Sequence, residues 1–204
     1  MPLVADFLLS NARLLLTGTG RAPGRGREQG RVRSIADASI AAYQGRIVFA
    51  GTTAECTRHV TASRDAEHVD ARGCTVVPGF VDAHTHVVFA GDRRDELRRR
   101  LAGATYAEIA ATGGGIVRTV RATREASEDD LVALTRVRLD EMLLSGTTTC
   151  EAKSGYGLTT ESELKILRVI RRLDHEHAID LSPTFLGAHE VPLEYGTQIG
   201  RAHV

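Results

Sequence analysis

VVPGFVDAHTH, residues 76–86, is the stretch that decides the fold of this 204-residue chain. Val76, Val77, Phe80 and Val81 form a near-continuous apolar run, the pattern of a parallel strand covered on both faces. The run then ends in Asp82, His84 and His86. Polar side chains at the end of a buried strand cost desolvation energy unless something offsets it. Residues at i and i+2 of a strand point to the same side, about 6.6 Å apart along the chain. Two imidazoles so placed can converge on one cation at about 2.0–2.1 Å each.

Towards the C-terminus, strand and helix signals alternate. A helical stretch covers 94–111. Residues 128–145 carry Leu131, Leu134, Val137 and Met142 at helical spacing, with Ser127 and Asp130 as a capping box and Gly146 as a stop. TTTCEA (147–152) reads as the next strand. Thr160 and Glu163 open a further capped helix with Leu164, Leu167, Ile170 and Leu173, and IDLSPTFLGAH (179–189) reads as a third strand. This alternation predicts an α/β fold with a parallel sheet. Three strands are far fewer than the eight of a closed barrel of roughly 250 residues, and they leave two exposed sheet edges.

Towards the N-terminus the texture is β-rich. Residues 3–17 read as one or two short strands. GTGRAPGRGREQGRVR (18–33) has the composition of a loop. Its arginines come without aromatics, which favours a solvated insertion over an RNA-binding surface. ASIAAYQGRIVFAG (38–51) predicts a hairpin turning at Gln44-Gly45. With CTVVPGF (74–80) these segments form a small β unit.

Lys plus Arg and Asp plus Glu both number 26, so nothing in the charge points to nucleic acid or a membrane surface. Hydrophobic residues at 42% and charged residues at 25% predict a globular chain. Cys56, Cys74 and Cys150, odd in number and without CxxC spacing, suit a reducing compartment. Asp6, Asn11 and Arg13 interrupt the apolar start, and no run reaches about 18 apolar residues, so neither a signal peptide nor a membrane span is expected. The expected location is cytoplasmic.

The string from Pro78 to His86 resembles the first-strand signature of the amidohydrolase superfamily. HTHVVFAGDR (84–93), TYAEIAATGGGI (105–116), EAKSGYGL (151–158) and FLGAHEVPLEY (185–195) are similar to the imidazolonepropionases within it. The resemblance implies an incomplete (β/α)8 TIM-type barrel, its first three or so strands in residues 76–195, preceded in residues 1–75 by part of a small β-sandwich domain. It implies a metal-dependent hydrolase acting on the cyclic amide of 4-imidazolone-5-propanoate to give N-formimidoyl-L-glutamate. One zinc or iron ion would be held by His84 and His86. Arg93, Tyr156 and His189 would contact substrate, with His189 catalytic and Tyr106 a weaker substrate contact. A homodimer of the full-length protein is compatible with the family.

Each role makes chemical sense in its own right. A guanidinium clamps a carboxylate in bidentate fashion, a bound divalent metal acidifies a water, and Tyr and His can hydrogen-bond ring atoms. Each residue also has a plainer reading: Arg93 as a solvated helix start, Tyr156 as a loop residue between glycines, His189 as structural. Lys153, which some superfamily members carboxylate to bridge two metals, is not expected to do so here. His175 and His177 repeat the HxH spacing on a helix, where i and i+2 do not face each other, and are expected at the surface. The other readings are a different cyclic amidase or deaminase of the superfamily, or a non-catalytic metal- or ligand-binding domain.

Two histidines under-coordinate a catalytic metal, which takes three protein ligands and a water. The resemblance assigns the third histidine and an aspartate to later strands, so the chain alone is expected to be inactive. After Tyr195 the resemblance stops. Ile199 to Val204 is what ATC GGA AGA GCA CAC GTC, the start of a common sequencing adapter, encodes, and 196–204 is expected to be a non-native tail.

Overall fold

A computed structural model describes residues 2–18, 24–191 and 194. The expected tail at 196–204 lies outside them. The chain divides into two compact units, Met1–Pro78 and Gly79–Val204.

The first unit is a five-stranded sheet. Strand β1 (Leu3–Thr17) is flanked by β2 (Arg33–Tyr43), which pairs with β3 (Arg46–Thr52); a short helix α1 (Thr53–His59) leads to β4 (Val60–Asp70), which pairs parallel to β1, as does β5 (Thr75–Val76). Residues 3–17 form one long strand rather than two. The register shifts between Leu9 and Ala12, and Asn11 takes up the irregularity at φ 60°, a left-handed conformation that Asn tolerates. The hairpin turns at Gln44 and Gly45, both at positive φ, as a tight two-residue connection demands. Ala12, Leu15, Ala38 and Ala71 form the centre of its core.

The second unit carries the site. Strand β6 (Phe80–Thr85) is followed by α2 (Arg94–Leu101), α3 (Tyr106–Ala111), α4 (Ile116–Glu125) and α5 (Glu128–Leu144), then β7 (Thr147–Lys153), α6 (Thr160–Glu176) and β8 (Asp180–Thr184). The sheet order is β6-β7-β8, all parallel. Cys150 and Ala152 on β7 and Leu181 on β8 pack with Leu131, Val132, Leu139, Ile166, Val169, Ile170 and Leu173 of α5 and α6. Glu151 and Lys153 alternate with these and so point to the opposite face.

Several expectations need correction. Residues 94–111 are two helices, because Gly103 at φ 97° breaks the turn and Thr105 caps a new one through Glu108. The apolar stripe of α5 is Leu131, Val132, Thr135 and Leu139, whereas Leu134 and Val137 lie 43% and 59% exposed. The cap of α6 is Thr159, whose side chain accepts from the Ser162 N–H, not Thr160. In that helix Leu164 is 48% exposed and Ile166 and Val169 take the core positions. Phe80 and Val81, expected under cover, are 59% and 68% exposed. Among the described residues β6 pairs with β7 alone, so its far edge has no neighbour. Strand β8 stops at Thr184, and beyond it the Leu186 N–H donates to Ser154 Oγ, just past the end of β7.

His177 is the reverse case. Its side chain is only 5% exposed. Nδ1 accepts the Ile179 N–H, and Nε2 meets Asp140 Oδ1 at 3.1 Å.

Candidate active site

Local hydrogen bonds shape the end of β6. Asp82 Oδ1 accepts the His84 N–H at 3.2 Å, and Thr85 Oγ1 donates to the Glu151 carbonyl at 2.6 Å, tying β6 to β7. Beyond the strand, Val87, Val88 and Ala90 are buried. Arg138 on α5 holds this segment from below: Nη1 donates to the carbonyls of Val87 and Phe89, and the guanidinium lies 3.6 Å from the Phe89 ring centroid.

The result is a cluster of aromatic rings. His84 and His86 lie edge to face, 5.9 Å between centroids. His86 stacks on His189 at 4.6 Å and 15°, and both rings meet Tyr156, at 5.0 and 5.5 Å. Phe89 adds an edge contact to Tyr156 at 6.1 Å. Sequence positions far apart thus meet because they lie at or beyond the ends of three neighbouring strands of one parallel sheet.

Burial holds the His86 imidazole below the usual histidine pKa, helped by His189, His84 and Lys153 nearby, with the Ser154 backbone pulling the other way. Its Nδ1 is buried and has no hydrogen-bond partner among the described residues. An imidazole whose surroundings disfavour the charged form, with one nitrogen left so, fits a metal ligand. The 5.9 Å between the His84 and His86 ring centroids is a separation that two imidazole ligands of one cation can adopt. Among the described residues no group of three or more His, Cys, Asp or Glu could hold a metal. The two imidazoles therefore fit as part of a metal site.

Arg93 stands at the N-terminus of α2. Its Nε meets Glu96 Oε2 at 3.1 Å, and Glu96, 6% exposed, also accepts the Gly115 N–H at 2.8 Å. Glu96 thereby fixes one edge of the guanidinium and leaves its terminal nitrogens to other partners. Arg93 and Tyr156 line one cavity of about 410 Å³, together with Phe89, Gly91, Arg94, Leu97 and Thr119. The three histidines do not line it; Tyr156 is the link between cavity and imidazoles. Tyr106 stands apart at the start of α3, 61% exposed, with its hydroxyl beside Gly115. Lys153 is paired with Glu151 at 2.6 Å, and Thr184 donates to the same carboxylate oxygen.

Sequence reasoning missed Glu96, Arg138 and Glu163 as parts of the site. Glu163 is fully buried, and its carboxylate accepts from the N–H groups of Gly155, Gly157 and Leu158 at 2.6–2.8 Å. The available signal was a glutamate on the core side of a helix directly after a glycine-rich loop.

The model of the "Amidohydrolase family" matches residues 67–182. The chain is 52% identical over 190 residues to the imidazolonepropionase of Symbiobacterium thermophilum, covering 93% of this chain and 44% of that protein. It is 48% identical over 191 residues to the imidazolonepropionase of Herpetosiphon aurantiacus, covering 94% and 44%. The chain thus spans less than half the length of these curated relatives. Among solved structures, the atrazine chlorohydrolase TrzN from Arthrobacter aurescens TC1 complexed with zinc superposes with a TM-score of 0.59 at 19% identity, over 88% of this chain and 35% of that one. That likeness supports an α/β fold of the same kind. No helix among the described residues is long and apolar enough to cross a membrane.

Proposed function

The chain belongs to the amidohydrolase family, and from that footing we propose that it supplies the first metal ligands and the substrate contacts of an imidazolone ring hydrolase. The substrate is 4-imidazolone-5-propanoate and the product N-formimidoyl-L-glutamate. We read the β6-β7-β8 sheet as the start of a (β/α)8 barrel and the first unit as part of a β-sandwich. One observation carries the reading. His84, His86, Tyr156 and His189 meet in one ring cluster, and Tyr156 shares a cavity with Arg93. These residues lie in a chain about half identical to imidazolonepropionases over nearly its whole length.

The residues divide the work as follows. Arg93, held at Nε by Glu96, presents its terminal N–H groups to the propanoate carboxylate, a charge-assisted pairing that fixes the substrate's orientation. Tyr156, which lines the cavity with Arg93 and whose ring meets the imidazoles, donates its hydroxyl to the substrate ring. His189 Nδ1 lies 3.1 Å from the Gly155 carbonyl, which can only accept, so Nδ1 carries the proton and Nε2 offers a lone pair to the ring. Phe89 walls the cavity and limits water beside the ring. His84 and His86, with ligands beyond these, would hold a zinc or iron ion, which would supply Lewis acidity and acidify a water towards a pKa of about 7. In the overall reaction the water oxygen joins the ring carbonyl carbon, the amide C–N bond breaks, and the departing nitrogen takes up a proton.

The test is a completed protein: residues 1–191 of this chain joined to the matching remainder of the Symbiobacterium thermophilum relative. Hydrolysis of 4-imidazolone-5-propanoate, lost on His84→Ala or His86→Ala, is the expected result. A folded, metal-loaded chimera without turnover, while the parent relative is active under the same conditions, overturns it.

A further inference from the structure

Among the described residues of the second unit, Glu163 is the one carboxylate at 0% exposure, and it makes no ion pair with them. Oε2 accepts from the Gly155 N–H at 2.7 Å, and Oε1 from the N–H groups of Gly157 and Leu158 at 2.8 and 2.6 Å. Three backbone donors therefore converge on a single side chain, inside a loop whose other contacts lead to the site. The peptide between Gly155 and Tyr156 lies between two of these held amides. Its carbonyl, that of Gly155, meets His189 Nδ1 at 3.1 Å.

The loop would not adopt this shape unaided. Gly155 sits at φ 117°, and a Cβ there would come within 2.9 Å of His189 Nδ1. Leu158 sits at φ 55°, where a bulky side chain is strained and persists only when its surroundings over-determine it. At Gly157 a Cβ would come within 2.6 Å of the Glu163 nitrogen, so the helix that carries Glu163 packs directly against the loop. A buried carboxylate gathering amides in a turn is an anion held in a backbone nest. Here the nest is the segment that carries a substrate-facing tyrosine.

We propose that Glu163 is a positioning residue: by holding the amides of Gly155, Gly157 and Leu158 it sets the place of Tyr156 and, through the Gly155 carbonyl, the Nδ1–H tautomer and ring orientation of His189. Its link to catalysis rests on the reading of Tyr156 and His189 as substrate contacts. The anchoring itself does not.

The experiment uses the 204-residue chain, 15N-labelled and treated with chelator. Amide exchange follows Gly155, Gly157 and Leu158, and long-range ring 1H–15N correlations report the His189 tautomer. The wild-type chain is expected to protect the three amides and to hold His189 as Nδ1–H. Unprotected amides or an Nε2–H tautomer in the wild type overturn the proposal whatever the variants do. Glu163→Gln puts an NH2 donor against at least one of those N–H groups. Protection should fall about tenfold or more, as for loss of a hydrogen bond to a charged group, and His189 should become a tautomer mixture. Thr159→Ala removes the cap of the same helix while leaving the Glu163 carboxylate and its three amide partners chemically intact; it should lower the melting temperature and leave the His189 signature unchanged. Equal His189 changes in both variants, or none in folded Glu163→Gln, overturn the positioning role. If the anchoring holds while a completed protein opens no imidazolone ring, the activity reading fails and the loop assignment stands.

Discussion

The His86 imidazole lies stacked on that of His189, 4.6 Å between centroids and 15° from parallel. Burial disfavours a positive charge on His86, and the neighbouring His189 imidazole adds to the effect, so its pKa is lowered from the ordinary 6.5. The sign follows from proton counting. Below pH 6.5 the unfolded chain takes up a proton at His86 more readily than the folded chain does. Stability of the metal-free chain should therefore fall as the pH drops from 6.5 towards the lowered value, and level off beneath it. Urea unfolding midpoints across this window should show the slope, and His86→Gln should flatten it. An unchanged slope in the variant would refute the burial argument.

Metal uptake separates the two histidines from the rest of the cluster. Zinc bound by the completed protein, measured by titration calorimetry, should be largely lost in His84→Ala and in His86→Ala. It should survive in Tyr156→Phe, whose ring contact to His86 needs no hydroxyl. Retention of zinc by both histidine variants would move the metal elsewhere.

Arg93 and Arg94 line the same cavity but are held differently. Arg93 lies against the buried Glu96, while Arg94, 92% exposed at its side chain, pairs with Asp92. In the completed protein, Arg93→Ala should raise the substrate KM roughly ten- to a hundredfold, the worth of a charge-assisted hydrogen bond of about 1.5–3 kcal/mol. Arg94→Ala should change it less than about threefold, as an exposed ion pair is worth little. Similar effects from the two would remove Arg93 from the carboxylate clamp.

Much of this site was legible because its chemistry and its spacing coincide. His84 and His86 stand at i and i+2 after an apolar run, and the Ser127–Asp130 capping box marked the start of α5 at the residue where the structure has it. What stayed hidden had a local reading that was already satisfied. Glu163 three residues after Thr160 looked like a cap partner, and only the packing of α6 against the glycine loop turns it inward. Strand β4 passed unseen because its side chains are mostly exposed and polar, so no period-2 pattern forms. Helix α1 has only seven residues, yet its Thr52–Glu55 capping box was there to be read.

Helix α5 shows how a helical period can be right and its phase wrong. Leu131 and Leu134 lie at i and i+3, so either could begin the buried stripe. The charges do not decide it, since Arg136 and Arg138 sit on different faces. The sheet decides. Leu131 is fully buried against β7 and α6, Leu134 is 43% exposed, and Thr135 fills the position that Leu134 was expected to take. Leu131→Ala should therefore lower the unfolding free energy by about 2–5 kcal/mol, the cost of a cavity in a packed core. Leu134→Ala should cost less than about 1 kcal/mol, because its side chain gives up little buried surface. Guanidinium unfolding of the two variants, compared at equal m-value, measures the difference directly. Equal losses would mean that α5 is rotated from the orientation in which Arg138 reaches the carbonyls of Val87 and Phe89. The segment carrying His86 would then lose its support from below.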